Sequence, residues 1–381
     1  MPSSLTVALE RYSSLPQIDI DTLTGPPASL LDALRLVPDP RSKRGIRYPF
    51  SWLLAVCICA ALSGDSSLRR IAECATRLAL GVRNSAPAAT TIQRLLQHVD
   101  PDALDQALAA WAATRATGEV IAIDGKELRS AKRGGHDRVH LMAALDHDTG
   151  AVLAQIDVHA KTNEIPRLPA LLEELNAHRS LKGRIFTIDA LHTQTKTAQL
   201  ICDTHQAHYL MTIKGNQPGL HSQAESHPWD QIPVCDTQED TSHGRKVRRE
   251  LKIITPTGVL ASTWPGAKQI GQLTRTAVRA KGKEPSVEVV YLITSLTAHQ
   301  GPATRINDII RGHWAIEALH YVRDVTFGED GNGIRIGNTP RILASFTNAA
   351  ITALRLAGKT NIAEATRANH ADPELIHNYL K

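Results

Sequence analysis

The feature that most constrains this chain begins at Gly118, where a helical texture gives way to β-branched runs that alternate with amphipathic segments. EVIAID, RVHLMAALD and AVLAQIDVHA read as three strands, the last two separated by the turn-rich DHDTGA, and together they predict an antiparallel meander. NEIPRLPALLEEL follows as a helix, with Asn163 as its cap and Pro166 in its first turn. Then come the strand RIFTID, the helix TQTKTAQLICDTHQA and the strand HYLMTI. The order β-β-β-α-β-α-β predicts an α/β fold, a mixed sheet with helices on its faces.

The rest of the chain organises around that block. Residues 1–27 read as an N-terminal tail and 28–118 as a helical domain, whose apolar run SWLLAVCICAALSG is a buried helix too short to cross a bilayer. Paired short helices there carry a weak helix-turn-helix signal, so this domain is a candidate DNA binder. Residues 119–213 form the first part of the α/β core and 214–286 a β-rich, basic insertion. Residues 287–358 complete the core with the strand VEVVYLITSL, one long helix over TRINDIIRGHWAIEALHYVRDVTF, and a second helix over PRILASFTNAAITALRLAG; 359–381 are a C-terminal tail.

Charge is spread unevenly. Residues 241 to 285 hold ten Lys or Arg and only Glu250 and Glu284 as acids, a net +8 in a chain whose total is +5. Arg41, Lys43, Arg44 and Arg47 make a second basic cluster. Such patches suit a phosphate backbone, and equally suit a solvated surface. The five cysteines include no CxxC pair, and the first residues lack the basic start and apolar run of a secretion signal. Both features point to a reducing, cytoplasmic compartment and no membrane.

Chemistry is suggested by carboxylates. Asp124 and Asp189 each close an apolar strand, in AIDGK and TIDAL, and strand ends in an α/β layer are where reactive groups gather. Glu317 lies within a helix between Trp314 and Tyr321, on a stripe placed near the core edge, where a salt bridge to Arg311 or Arg323 is the plain alternative. Three acids from separate elements suit hard cations with oxygen ligands, Mg²⁺ above all. His313, Glu317 and His320 share a helical face, but without HExxH or a nearby Cys they argue poorly for zinc. No P-loop occurs, so ATP is not implied.

In order along the chain, AIDGKELRSAKR, HAKTNEIP, TIDALHTQ, TIKGNQ and RGHWAIEALHYVRDVTFGED resemble the insertion-sequence transposases of the H-repeat-associated group. DPRSKRGIRYPF and SGDSSLRRIAECA resemble the small domain that precedes their catalytic core. The resemblance covers roughly residues 28 to 356. It implies an RNase H-like fold and a DDE transposase, a polynucleotidyl transferase in which Asp124, Asp189 and Glu317 are catalytic and hold two Mg²⁺ or Mn²⁺ ions. It also implies nucleoid-associated DNA partners, the element's terminal inverted repeats and target DNA, with a homodimer in the active complex. Many relatives carry Arg four residues before the Glu and Lys seven after it; here those slots hold His313 and Asp324. Lys126, Lys214, Arg245, Lys246, Arg248, Arg249, Arg311 and His313 are the candidate DNA contacts. Two alternatives remain open, a nuclease of the same fold that does not join strands and a DNA-binding protein that has lost catalysis.

Overall fold

The computed structural model describes residues 2–18, 25–79, 83, 85–133, 137–158, 164–242, 245–279, 284–331, 333–334 and 337–380, with the side chains of 129–133, 137, 242, 259 and 279 excepted. Asn163, read above as a helix cap, and Lys161, Lys281 and Lys283, which belong to the motif HAKTNEIP and the basic stretch 241–285, lie outside the described residues. In chain order the elements are α1 (Ser4–Ser13), α2 (Leu30–Leu34), α3 (Phe50–Leu62), α4 (Leu68–Ala79), α5 (Ala89–Leu96), α6 (Pro101–Ala113), β1 (Val120–Arg133), β2 (Asp137–Asp146), β3 (Val152–Val158), α7 (Leu168–His178), β4 (Ile185–Ile188), α8 (Thr195–Gln199), β5 (His208–Ile213), α9 (Pro218–Glu225), β6 (Asp236–Ser242), β7 (Arg245–Ile254), α10 (Gly258–Thr263), β8 (Gln269–Arg279), β9 (Ser286–Thr294), α11 (Ala303–Gly312), α12 (Trp314–Val325), α13 (Thr339–Leu356) and α14 (Ile362–Ala371). The chain divides into two compact units. The first is Met1–Gly118, Gly125–Ser180 and Ile316–Lys381, and the second is Glu119–Asp124 and Leu181–Ala315.

The first unit is built on apolar helices. Every residue of α3 is buried, as expected of a helix that is hydrophobic on all sides. Its thiols Cys57 and Cys59 are core residues, and burial pushes both well above the ordinary range of a thiol. The helix α13 packs against α3, α6 and β3. α1 lies in the stretch read as a tail. Ser3 caps it, and Leu5, Leu9 and Tyr12 recur at helical spacing on its buried side.

A polar network crosses this core. Arg341 on α13 donates to Asp105 on α6 through Nη2 at 2.8 Å, and Ser345 Oγ donates to the other carboxylate oxygen at 2.5 Å. Gln155 on β3 donates to Asp105 at 3.4 Å and accepts from Asn348 at 2.7 Å. Buried polar groups cost little only when they are satisfied in this way.

In the second unit the strand order is β1-β4-β5-β9-β8-β7-β6, with β1, β4 and β5 parallel and all later neighbours antiparallel. Leu210, Leu251, Leu273 and Leu292 of the sheet pack with Ile306 and Ile309 of α11. Strands joined through helices, after the β1–β3 meander, make the mixed α/β sheet flanked by helices expected of an RNase H-like fold.

Two local expectations are corrected. Asp124 does not end its strand, because β1 runs on to Arg133. What ends there is the parallel ladder to β4, which covers only Val120–Ile123 because β4 is four residues long. The long helix expected around Glu317 is interrupted: α11 closes at Gly312 and α12 opens at Trp314. His313 keeps helical backbone angles and its N–H still bonds Ile309 O at 3.1 Å. The break is a local loosening at a glycine, the weakest helix former after proline.

Gly125 is crowded by side chains of its own unit. A Cβ built there would collide with Glu164 Oε1 and come within 2.7 Å of His140 Nε2, and those two side chains pair with each other at 2.9 Å. Gly125→Ala must displace that pair, and overpacking of this kind costs about 1–3 kcal/mol. A lower denaturation midpoint is expected; an unchanged midpoint would show that the pair moves freely.

Burial pushes the Asp105 carboxyl up to about 6, against the downward pull of Arg341. Its folded pKa therefore exceeds its unfolded value, so protonation favours folding and this group's contribution grows as pH falls through 6. Arg341→Met strands the carboxylate, and breaking a buried pair costs about 3–5 kcal/mol. The defect should be largest at pH 8 and shrink towards pH 5, as read by urea unfolding at both; equal defects would contradict the account.

Candidate functional site

The site begins with four rungs of parallel ladder in the second unit. Ala122 faces Thr187 and Ile123 faces Ile188, so the next residues along the two strands are Asp124 and Asp189. Adjacent strands run about 4.8 Å apart, which makes these two carboxylates neighbours. Strand alternation puts both on the face opposite Ile123 and Ile188. Asp189 is exposed and Asp124 half-buried. Asp189 is also held in place, because its Oδ1 accepts the Leu191 N–H at 2.7 Å and caps the short turn Ala190–His192.

The third parallel strand, β5, ends at Ile213 and is followed by Lys214. The TIKGNQ loop is tied to the Asp189 loop by Asn216, whose Nδ2 donates to Ala190 O at 2.7 Å. His313 reaches the same face: its Nδ1 shares a hydrogen bond of 2.9 Å with Thr187 Oγ1, two residues before Asp189. Burial lowers the His313 pKa, with Asp189 pulling it up and Lys214 pushing it down. A neutral imidazole offers hydrogen bonds beside Asp189 rather than the fixed charge of an arginine.

Glu317 belongs to the first unit. It lies on the exposed side of α12, with Trp314 and Tyr321, which are 56% and 65% exposed. The expected position at the core edge is corrected, since α12 turns Ile316, Leu319 and Arg323 inward instead. The two plain salt-bridge partners are otherwise engaged. Arg323 is fully buried in a bidentate pair with Glu329, at 2.8 and 3.0 Å, and Arg311 lies 3.5 Å from Asp240. No ion pair to Glu317 occurs among the described residues. Nor, among them, does any group of three or more His, Cys, Asp and Glu gather closely enough to hold a metal ion. Asp124 and Asp189 are the pair that the backbone itself brings together.

The cations divide by surroundings. Lys126 shares the face of Asp124 along β1, but it is buried and pairs with Asp324 at 2.6 Å. Asp324 occupies the slot seven residues after Glu317, and Lys126 of β1 is the cation paired with it. Lys214 is exposed. In the insertion, Lys246 pairs with Glu239 and Arg248 with Glu250, whereas Arg245 and Arg249 turn to the other face of β7. Glu164 was read from the sequence only as a first-turn acid. Its contact with His140 and Gly125 depends on strand pairing, which no local signal announces.

Among the described residues no helix is long and apolar enough to cross a membrane. The family model described as "Transposase DDE domain" matches residues 115–343, and one described as "DDE_Tnp_1-associated" matches residues 31–112. YncI of Escherichia coli O157:H7, which carries a transposase name, is 31% identical over 86% of this chain and 87% of its own length. YhhI of Escherichia coli (strain K12), named for association with the H repeat and as a transposase, is 29% identical over 85% of this chain and 90% of its own. The solved piggyBac transposase synaptic complex with hairpin DNA aligns at a TM-score of 0.43 and 11% identity, covering 95% of this chain and 79% of that one. The matched domain spans more than half of the chain and places the Asp124–Asp189 strand pair inside it: this protein belongs to the DDE transposase family.

Proposed function

We propose that the protein cuts phosphodiesters at the ends of a DNA element and transfers the freed 3′-hydroxyl to target DNA. The observation that carries this reading is the register of β1 and β4, which sets Asp124 beside Asp189 at the end of a parallel ladder. Two carboxylates so close repel unless a cation lies between them or one is protonated. Their oxygen-only donor set fits a hard divalent ion, Mg²⁺ or Mn²⁺. Glu317 is the third ligand in this reading, supported by its exposure and by the absence of a competing ion pair among the described residues.

A pair of divalent ions, when bound, would supply the activation of the attacking oxygen and the stabilisation of the leaving one. The chain's own residues do the positioning. The Leu191 N–H fixes the rotamer of Asp189 and leaves its second oxygen available. Thr187 and neutral His313 keep a hydrogen-bonding, uncharged neighbour beside it. Lys214 and the basic insertion 214–286 contact DNA phosphate, with the helical segment 28–118 as a second DNA-binding part. The acids require no covalent enzyme intermediate, and the active assembly is a homodimer that pairs two element ends.

Asp124→Asn, Asp189→Asn and Glu317→Gln keep side-chain size and remove charge. Each should lower cleavage of a labelled terminal repeat by at least about 10³-fold with Mg²⁺ present, with end binding within about threefold of wild type. Mn²⁺ titration followed by electron paramagnetic resonance should show two bound ions in the wild type and fewer in each variant. A variant that cuts at near wild-type rate removes that residue from the ligand set. Cleaved ends that are never joined to target DNA would favour a nuclease.

A further inference from the structure

Strand alternation divides the basic residues of β7 between two unlike faces. Lys246 and Arg248 point one way and are neutralised, Lys246 by Glu239 at 2.9 Å and Arg248 by Glu250 at 2.8 Å. Arg245 and Arg249 point the other way, with Val247 and Leu251, towards the side covered by α11. Across the ladder Arg249 stands directly opposite Arg275 of β8. Like charges directly opposite on adjacent strands are destabilising, so this arrangement opposes the fold. Arg311, in the last turn of α11, adds a further cation.

The group lacks matching anions. Burial, then the fields of Arg275 and Arg311, lower the Arg249 pKa; Asp240 opposes them and Arg245 adds to them. Asp240 lies 3.5 Å from Arg311, and Glu288 lies 3.4 Å from Arg275 with its own side chain 60% exposed. Four arginines thus face two loosely held carboxylates. Arg245 Nε, Arg249 Nη1 and Arg275 Nε are all shielded from solvent and have no hydrogen-bond partner among the described residues. Buried donors left unmade are costly, more so on charged groups. The Arg275 guanidinium is backed on one side by the exposed Trp314 ring, 6.0 Å from its centroid.

A planar guanidinium cluster with spare donors and excess positive charge matches one chemistry above others, an oxyanion that accepts several hydrogen bonds at once. We propose that Arg249, Arg275 and Arg311, flanked by Arg245, form a binding site for a backbone phosphate of DNA, on the face of β7 opposite Lys246 and Arg248. This rests on the DNA-processing reading above and makes it specific. Within the insertion, the strongest phosphate contact is then made through the one face where arginines outnumber acids.

Duplex DNA binding across a salt series separates the two faces. Each lost phosphate contact removes about 0.9 from the magnitude of the log–log salt slope. Arg249→Gln with Arg275→Gln should lower that slope by about 1–2 units and weaken binding at least tenfold near 0.1 M salt. Lys246→Gln with Arg248→Gln should weaken binding clearly less than the arginine pair does, because Glu239 and Glu250 already pair with those two cations. In DNA-free protein the arginine double variant should melt no lower than wild type, because it removes the Arg249–Arg275 repulsion, against which the exposed Arg275–Glu288 pair weighs little. Arg311→Gln, a change at an exposed side chain, supplies the same binding test if the double variant fails to fold. Equal weakening by both doubles, or an unchanged slope in the arginine variants with a lowered melting temperature, overturns the site. A wild-type protein that binds no duplex DNA fails the proposed function itself, whatever the variants do.

Discussion

The candidate site depends on a short stretch of backbone, the four-residue parallel pairing of β1 with β4. Parallel strands keep the same direction, so groups that follow the last rung of each emerge at the same end of the sheet. Here those groups are two carboxylates. Because β4 stops at Ile188, the next residue is free to cap a turn, and Asp189 does so. Because β1 does not stop, Asp124 remains on a strand that continues into a second set of contacts. One acid is thus positioned by a turn and the other by an extended backbone, a difference in support that a shared strand-plus-Asp pattern conceals.

The candidate partners singled out in the sequence have contacts of their own. His313 is turned to Thr187 and held neutral by burial, and Lys126 is drawn to Asp324. Arg323 is used up inside the first unit by Glu329. In the insertion, arginines face each other across β7 and β8, an unfavourable like-charge contact. In the first unit the Asp105–Arg341 network shows the alternative, in which charge is buried and satisfied.

Much of this was legible from composition and spacing. Asp124 and Asp189 stood out because β-branched runs ended on them, whereas the register that sets the two strands side by side appears only in the folded sheet. The transposase family was readable from ordered motifs, which are properties of the chain. The positive charge of residues 241 to 285 was also visible, but its meaning was not. A window along the sequence omits the acids of β6, and Glu239 and Asp240 are what balance Lys246 and approach Arg311. Charge balance is set across strands, between residues that no linear count brings together.

What the sequence by itself determined is therefore local and periodic: the alternation of strands and helices, the all-buried α3 and the two carboxylates that close apolar runs. Tertiary structure decided which residues meet. It gave Lys126 to Asp324, Glu164 to His140 and Arg249 to Arg275, and it turned Trp314, Glu317 and Tyr321 to solvent rather than to the core edge. The physical reason is range. Periodicity and capping act within a turn or a strand, whereas ion pairing and burial depend on partners brought near only when the whole chain has packed.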